Sequence, residues 1–368
     1  MNRTEAYIAL NLLPKIGPVR MRKLLEVFGT PEAILKAKFS AIEQIPGFGQ
    51  DLAGSIAKWE STVDLSRELR RIDELELTIL TQEDDEYPAL LKHEHQPPIV
   101  LYVWGELLPR DRNAIGIVGS RQATIYGLSM AKKIGFQIAY SGYTVVSGLA
   151  RGIDTAAHEG ALASKGRTVG VIGSGIGKLY PPENMGLAER IAKQGAIVSE
   201  FPVDYPPDKQ SFPLRNRIVA GWCNGILVVE APTRSGALIT AQQATDMGRT
   251  IYALPGNADR PTSAGCNRLI QQGAKLIMDG ADILDDLMVL FPTATKAPQL
   301  DEALPVISLS PDEDTVFRCL ASDEVHIDEI TARCGLAGHV VSPTLLRLEM
   351  KRLVRQLPGQ RYVRMIAG

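Results

Sequence analysis

Ala114-Ile115-Gly116-Ile117-Val118-Gly119-Ser120-Arg121 is an apolar run that turns without warning into small, polar and basic residues. Its first five residues do not alternate, so both faces of the strand they form must be covered. Strands of that kind belong to parallel sheets with helices on either side. The turn that follows has the opposite character. Gly119 and Ser120 let the backbone approach an anion, and Arg121 adds a planar fork suited to phosphate. A tight turn carrying a surface arginine would read the same way.

Outward from this stretch the pattern repeats. Apolar strand candidates lie at 144–147, 168–172, 196–199, 225–230, 250–254 and 275–278. Helix-period segments at 126–140, 155–163, 182–194, 214–220, 237–247 and 264–271 separate them. This alternation predicts an α/β protein with an extended Rossmann-like core, a parallel sheet wound on both sides. Two further strands are expected ahead of it, at 77–80 and, as an edge strand, at 99–104.

The flanks differ in kind. Residues 6–13, 20–28 and 52–59 carry helical periodicity, with Pro14-Lys15-Ile16-Gly17-Pro18 and Ile45-Pro46-Gly47-Phe48-Gly49 between them. Glycine turns between amphipathic segments predict a sterile-alpha-motif or helix-hairpin-helix-like domain. A purely structural bundle and a phosphate-contacting one share this pattern. At the other end, helices are expected at 314–321, 327–334 and 342–356, the last capped by Ser342 with Pro343 at its first position. A turn at Leu357-Pro358-Gly359 leads into a terminal strand, which completes a small winged helix. The expected domains are 1–75 (helical), 76–286 (Rossmann-like core), 287–310 (a proline-broken linker) and 311–368 (winged-helix-like).

Bulk properties narrow the function. The 368 residues carry a formal charge of −2, with 45% apolar and 22% charged residues. That balance argues against an indiscriminately basic coat for nucleic acid and leaves a local basic groove open. The N-terminal run lacks a secretory pattern, no stretch reaches membrane-span length, and the four cysteines form no Cys-x-x-Cys pair. A cytoplasmic protein with reduced thiols, no metal and no membrane insertion is expected.

Five strand ends carry small, polar or basic loops, at Gly116–Arg121, Ser147–His158, Gly173–Pro181, Glu230–Thr240 and Pro255-Gly256-Asn257, the edge where open sheets bind ligands. Gly116 to Arg121 lacks the Gly-x-Gly-x-x-Gly fingerprint, and the next strand ends in Ser147-Gly148 where a dinucleotide site needs an acid. Ser147 to His158 brings Arg151, with Asp154 as an expected N-cap and His158 four residues on. That pair looks catalytic, but a cap and a packing histidine explain it equally. Gly173 to Lys178 is glycine-rich, yet Leu179 follows Lys178 where a P-loop needs a hydroxyl. Lys209-Gln210-Ser211-Phe212-Pro213-Leu214-Arg215-Asn216-Arg217 sets basic residues around one aromatic ring, as single-strand recognition requires. Phe212 could instead cap the core. Ser235-Gly236 opens a helix after a strongly apolar strand. The candidate DNA-binding residues are therefore Gly119, Ser120, Arg121, Arg151, Lys178, Lys209, Phe212, Arg215, Asn216, Arg217, Ser235 and Gly236.

Together these motifs resemble the DNA-processing protein A (DprA/Smf) family. The resemblance rests on Val118-Gly119-Ser120-Arg121, Ser147 to Asp154, Ala157-His158, Tyr180-Pro181-Pro182, Ser199-Glu200, Phe212 to Arg217, Ser235 to Thr240, Pro255-Gly256 and Cys266 to Ile270. It implies a homodimeric protein that binds and protects single-stranded DNA and loads the RecA recombinase on it during natural transformation. It also implies that Arg121, Lys209 and Phe212 match the family's DNA pocket, with Arg215 and Arg217 nearby, and that neither catalytic residue nor cofactor is needed. Two rivals remain open: a nucleotide N-glycosidase, for which Glu230 would be the acid, and a protein-interaction scaffold.

Overall fold

The computed structural model describes residues 1–290, 309–320, 324–351 and 353–364. Among them a nine-stranded sheet runs through the core in the order β1-β2-β6-β5-β4-β3-β7-β8-β9. The strands are β1 (Thr78–Thr81), β2 (Val100–Gly105), β3 (Ala114–Val118), β4 (Thr144–Ser147), β5 (Thr168–Val171), β6 (Ala196–Ser199), β7 (Gly225–Val228), β8 (Thr250–Ala253) and β9 (Lys275–Leu276). From β6 through β9 every neighbouring pair is parallel, while β1–β2 and β2–β6 are antiparallel. The chain winds from β3 out to β6, then returns to lay β7 against the other side of β3. Between β3 and β7 successive connections leave in opposite directions, which opens a crevice at the strands' carboxyl ends.

The expectation of an edge strand at 99–104 is corrected. β2 lies between β1 and β6, and Val100 to Val103 are at most 1% exposed. Pro97 and Pro98 precede the strand and take no ladder position within it, so interior pairing is undisturbed. One helix, Gly280–Leu290, had no counterpart in the sequence reading, and it runs through the start of the expected linker. Residues 291–308 of that linker lie outside the described residues.

Helices pack on both faces of the sheet. Ile115, Ile117, Met130, Ile134, Ile138, Leu227 and Tyr252 belong to one apolar cluster, and Val146, Val198, Trp222, Ile226 and Val228 to another. The N-terminal helices have no separate core. Ile8, Leu10, Leu24, Ile34 and Ile56 share a cluster with Tyr102, Ile172, Ile197 and Val203 of the sheet and its loops. The Leu65–Glu74 helix fastens the two together. Glu68, 7% exposed, accepts the Val203 amide at 2.8 Å, while Arg67 and Arg71 pair with Asp204 at 3.2 and 3.3 Å.

The C-terminal unit has its own cluster, with Val316, Ile330, Val341, Leu345 and Tyr362 at its centre. Three helices, Pro311–Cys319, Ile327–Cys334 and Gly338–Met350, accompany a three-stranded sheet of β10 (Val325–His326), β11 (Val354–Leu357) and β12 (Arg361–Arg364) in the order β10-β12-β11. The third helix corrects the reading of Ser342-Pro343. It begins at Gly338, so Pro343 lies inside it and removes one ladder bond, and residues 354–356 form strand. The end of the first expected helix, residue 321, lies outside the described residues.

A buried ion pair anchors the lower edge of the sheet. Asp111, 2% exposed, receives Arg167 through Nε at 2.8 Å and Nη2 at 2.7 Å, the Thr144 hydroxyl at 2.7 Å and the Leu108 amide at 2.8 Å. Replacing one partner leaves the other charged and unpaired in the interior. Asp111→Ala is expected to cost about 3–5 kcal/mol of core stability, measured by urea unfolding. A loss below about 1 kcal/mol would show that water reaches the abandoned guanidinium.

Candidate nucleic-acid interface

The crevice between β3 and β7 widens into a cleft of about 680 Å³. Its floor is set by backbone. The Ser120 amide donates to the Glu230 carbonyl oxygen at 2.7 Å, and the Gln122 amide to Ser120 Oγ at 3.1 Å. Glu230 Oε2 accepts the Thr124 amide at 2.8 Å and its hydroxyl at 3.3 Å, and Thr124 caps the following helix. Glu230 is thus occupied in holding the loop, is 5% exposed and does not line the cleft. An N-glycosidase acid would have to face its substrate, so the geometry gives that rival no support.

The β4 loop closes against the β3 loop. Gly152 takes φ +78°, and a Cβ there would sit 2.3 Å from the Ser120 carbonyl oxygen, so glycine is required on both counts. Leu149 also takes a positive φ, +53°, and its carbonyl accepts Asn184 Nδ2 at 2.9 Å. Asp154 is not the N-cap it was read to be. Gly152 occupies that position, and Asp154 lies inside the first turn, where Oδ2 accepts the Ala150 amide at 3.2 Å.

The Ser211–Trp222 helix forms the opposite wall and starts one turn earlier than its apolar periodicity suggested. Ser211 fastens it to the β5 loop, donating to the Gly173 carbonyl. Phe212 is half-buried, with its ring 5.9 Å from that of Tyr180, and the Arg121 guanidinium lies over it at 5.1 Å from the centroid. Arg121 and Phe212 therefore form one unit, a cation held on an aromatic face.

The cleft gathers Gly119, Ser120, Arg121, Arg151, Lys209, Phe212, Arg215, Asn216, Ser235 and Gly236. Arg121, Arg151 and Lys209 are exposed, and Arg151 shares its charge with Glu183. Arg215 is different, being 4% exposed in the wall, where Nη1 donates to the Val171 carbonyl at 2.7 Å. Burial pulls its pKa down to about 10, while Asp154 across Gly148 opposes that shift. Burial also raises Asp154 against the pull of Arg215.

Two residues of the sequence reading fall outside. Arg217 points to the other side of its helix, pairing with Glu200 and donating to the Gln96 carbonyl at 2.6 Å. An arginine two residues along a helix from Arg215 faces some 200° away, which the linear motif conceals. Lys178 is exposed on the short Ile176–Lys178 turn and does not line the cleft. Arg234, which the sequence reading left out, does line it and is exposed. A single arginine in a Thr-Arg-Ser turn carries no signal of its own. Its place became visible once the β7 loop was seen beside β3.

Asp154 is the one acid among the lining residues, against Arg121, Arg151, Lys209, Arg215 and Arg234. A concentrated positive field thus coexists with a net charge of −2. Among the described residues no group of three or more His, Cys, Asp or Glu side chains is arranged to hold a metal ion, and no helix is long and apolar enough to cross a membrane.

The model of the DNA recombination-mediator protein A family matches residues 78–288, the residues that build this cleft and its sheet. The chain belongs to the DprA/Smf family. The DprA winged helix domain model matches 296–360, and a SAM-like helix-hairpin-helix tandem matches 8–58. Protein Smf of Synechocystis sp. is 35% identical over 99% of both chains, and DprA of Bacillus subtilis is 44% identical over 55% of this chain and 68% of its own. The structure of DprA from Streptococcus pneumoniae is similar with a TM-score of 0.69 at 32% identity, covering 78% of this chain and 99% of that one. The DprA from Helicobacter pylori, whose structure concerns its single-stranded DNA binding mode, covers 58% of this chain and 97% of its own at 26% identity and a TM-score of 0.52. DprA/Smf proteins are non-catalytic DNA-binding proteins, and membership carries that reading to the chain.

The catalytic-looking Asp154–His158 pair has a structural account. His158 is fully buried, its Nδ1 2.6 Å from Thr168 Oγ1, and burial, then Arg215, lower its pKa to about 3. Below pH 6.5 the unfolded chain protonates this imidazole and the folded one does not until about pH 3, so folding stability falls as pH drops through that window. The slope from this group is about 1.4 kcal/mol per pH unit. His158→Gln is expected to flatten the decline between those limits by about that amount, read from unfolding free energies across pH. Parallel curves for the two proteins would show that the folded state protonates the ring.

Proposed function

We propose that this chain binds single-stranded DNA in the β3–β7 cleft, acts as a homodimer, and delivers the strand to the RecA recombinase during DNA uptake and recombination. The observation that carries the first step is Arg121 lying over the Phe212 ring at a strand-end crevice rimmed by further cations. Phosphates need the cations, and either nucleic-acid form would supply phosphates. Preference for a single strand needs a surface for an unpaired base face, which a duplex withholds. Phe212 with its guanidinium is such a surface, because bases stack on arginine planes as well as on rings. Family membership supports the recombinase step, and the single-stranded DNA binding mode of the H. pylori relative supports the choice of strand. β9 is an edge strand, and Leu276 within it and Met278 two residues beyond it are 47% and 70% exposed, which supports self-association at that edge.

The test is a set of substitutions at the paired side chains. Phe212→Ala is expected to weaken single-strand binding roughly 5- to 100-fold and to leave duplex binding nearly unchanged. Arg121→Ala is expected to reduce the slope of log affinity against log salt by about 0.7. Because the two side chains touch, the double variant should lose less than the sum of the single losses. Phe212 also packs over Gly173, so melting temperature is measured on the same preparations. Full single-strand affinity in a folded Phe212→Ala protein removes stacking from the account, and additive losses remove the paired unit.

A further inference from the structure

A second groove, about 850 Å³, lies where the N-terminal hairpins meet the core, on the far side of the Ser211–Trp222 helix from the cleft. Its core wall carries Phe201 and Tyr205, stacked at 4.7 Å with 17° between their planes, both half-buried. Its hairpin wall carries Lys15, Arg20 and Lys23, all exposed. Arg20 donates to the Lys15 carbonyl at 2.7 Å and Lys23 to the Pro46 carbonyl at 3.4 Å, and none of the three pairs with a carboxylate among the described residues. Glu200 is the lining acid, and Arg217 already neutralises it. Lys15, Arg20 and Gly47 also line an adjoining groove of about 480 Å³ that runs on around the second hairpin.

We propose that this groove is a second segment of the same single-strand track, so that a strand leaving the Phe212 cleft continues into it, its phosphates on Lys15, Arg20 and Lys23 and a base on the Phe201–Tyr205 face. The inference rests on the cleft reading above and extends it. Continuity is built into the chain. Tyr205 in the groove and Lys209 at the cleft are four residues apart, so at most about 14 Å of backbone separates them. Leu214, 47% exposed on the intervening helix, lines the groove two residues beyond Phe212 of the cleft. Unpaired cations beside a flat aromatic face are the donor set for an unpaired strand, whereas a duplex would leave the aromatic face without a partner. Arg217, misplaced when assigned to the cleft, belongs here as the residue that cancels the groove's acid.

The experiment compares two oligothymidines, one of about six nucleotides to fill the cleft and one of about twenty to reach both segments. The intact protein, a Lys15→Gln, Arg20→Gln, Lys23→Gln triple variant and Tyr205→Leu are titrated by fluorescence anisotropy across salt. For the longer strand the triple variant is expected to lose about tenfold or more in affinity and about two units of log–log salt slope, with the short strand unaffected. Tyr205→Leu keeps an apolar side chain in place and should weaken the longer strand alone. Unchanged binding of the longer strand by the folded triple variant overturns the proposal, as does an equal loss on both lengths. Failure of the unsubstituted protein to bind the short strand overturns the cleft reading itself, and the track with it.

Discussion

The hydrogen bond from the Ser120 amide to the Glu230 carbonyl oxygen holds the binding face together. β3 and β7 are parallel neighbours, but the chain leaves their carboxyl ends in opposite directions. The ladder runs one bond past β7, from the Val229 amide to the Val118 carbonyl oxygen at 3.1 Å. The Ser120–Glu230 hydrogen bond ties the loops just beyond it, and the Glu230 carboxylate repeats the link one turn later through Thr124. Arg121 leaves from between these two fixed points. Its guanidinium therefore reaches the Phe212 ring from a backbone that is already set, and less conformational freedom remains to be lost when a ligand arrives.

The cations divide into two kinds by depth. Lys209 and Arg234 stand in solvent and can move to meet a phosphate, while Arg121, also exposed, rests on the Phe212 ring. Arg215 is committed to the Val171 carbonyl and to the field of Asp154. A buried guanidinium cannot follow a mobile ligand, but it holds a positive potential beneath the strand-end glycines. The exposed cations set the field at the rim, and the buried arginine sets it at the floor of the cleft. Glycine at 148 makes this possible, because a Cβ there would fall 1.8 Å from Arg215 Nη1.

The sheet was legible because apolar runs too short for helices alternate with helix-period segments. The extra helix at Gly280–Leu290 was not, although Asp279 caps it by accepting the Ala281 amide at 2.9 Å and the Asp282 amide at 3.4 Å, because that cap follows a two-residue strand so closely that the strand and helix signals run together. Loop chemistry was legible wherever glycine and arginine fell together. Arg234 and Arg217 show the limit. Direction from the helix axis put Arg217 behind the wall, and contact between distant strands brought Arg234 in. The first follows from a two-residue spacing once the helix is assigned, whereas the second is not a function of sequence neighbours. Pro343 misled for a related reason, since a proline preceded by serine marks a helix start unless the helix is already under way.

The N-terminal helices and the sheet bury their apolar residues in one cluster, whereas the C-terminal unit buries its own. This sets different rules for loss and exchange of the two ends. A chain that dispensed with residues 309–364 would uncover none of the larger clusters. A chain that dispensed with the N-terminal helices would strip Tyr102, Ile197 and Val203 of their covering and need new residues there at once. Amide hydrogen exchange should follow the same division, with slow-exchanging positions running unbroken from the first helix into β2 and β6.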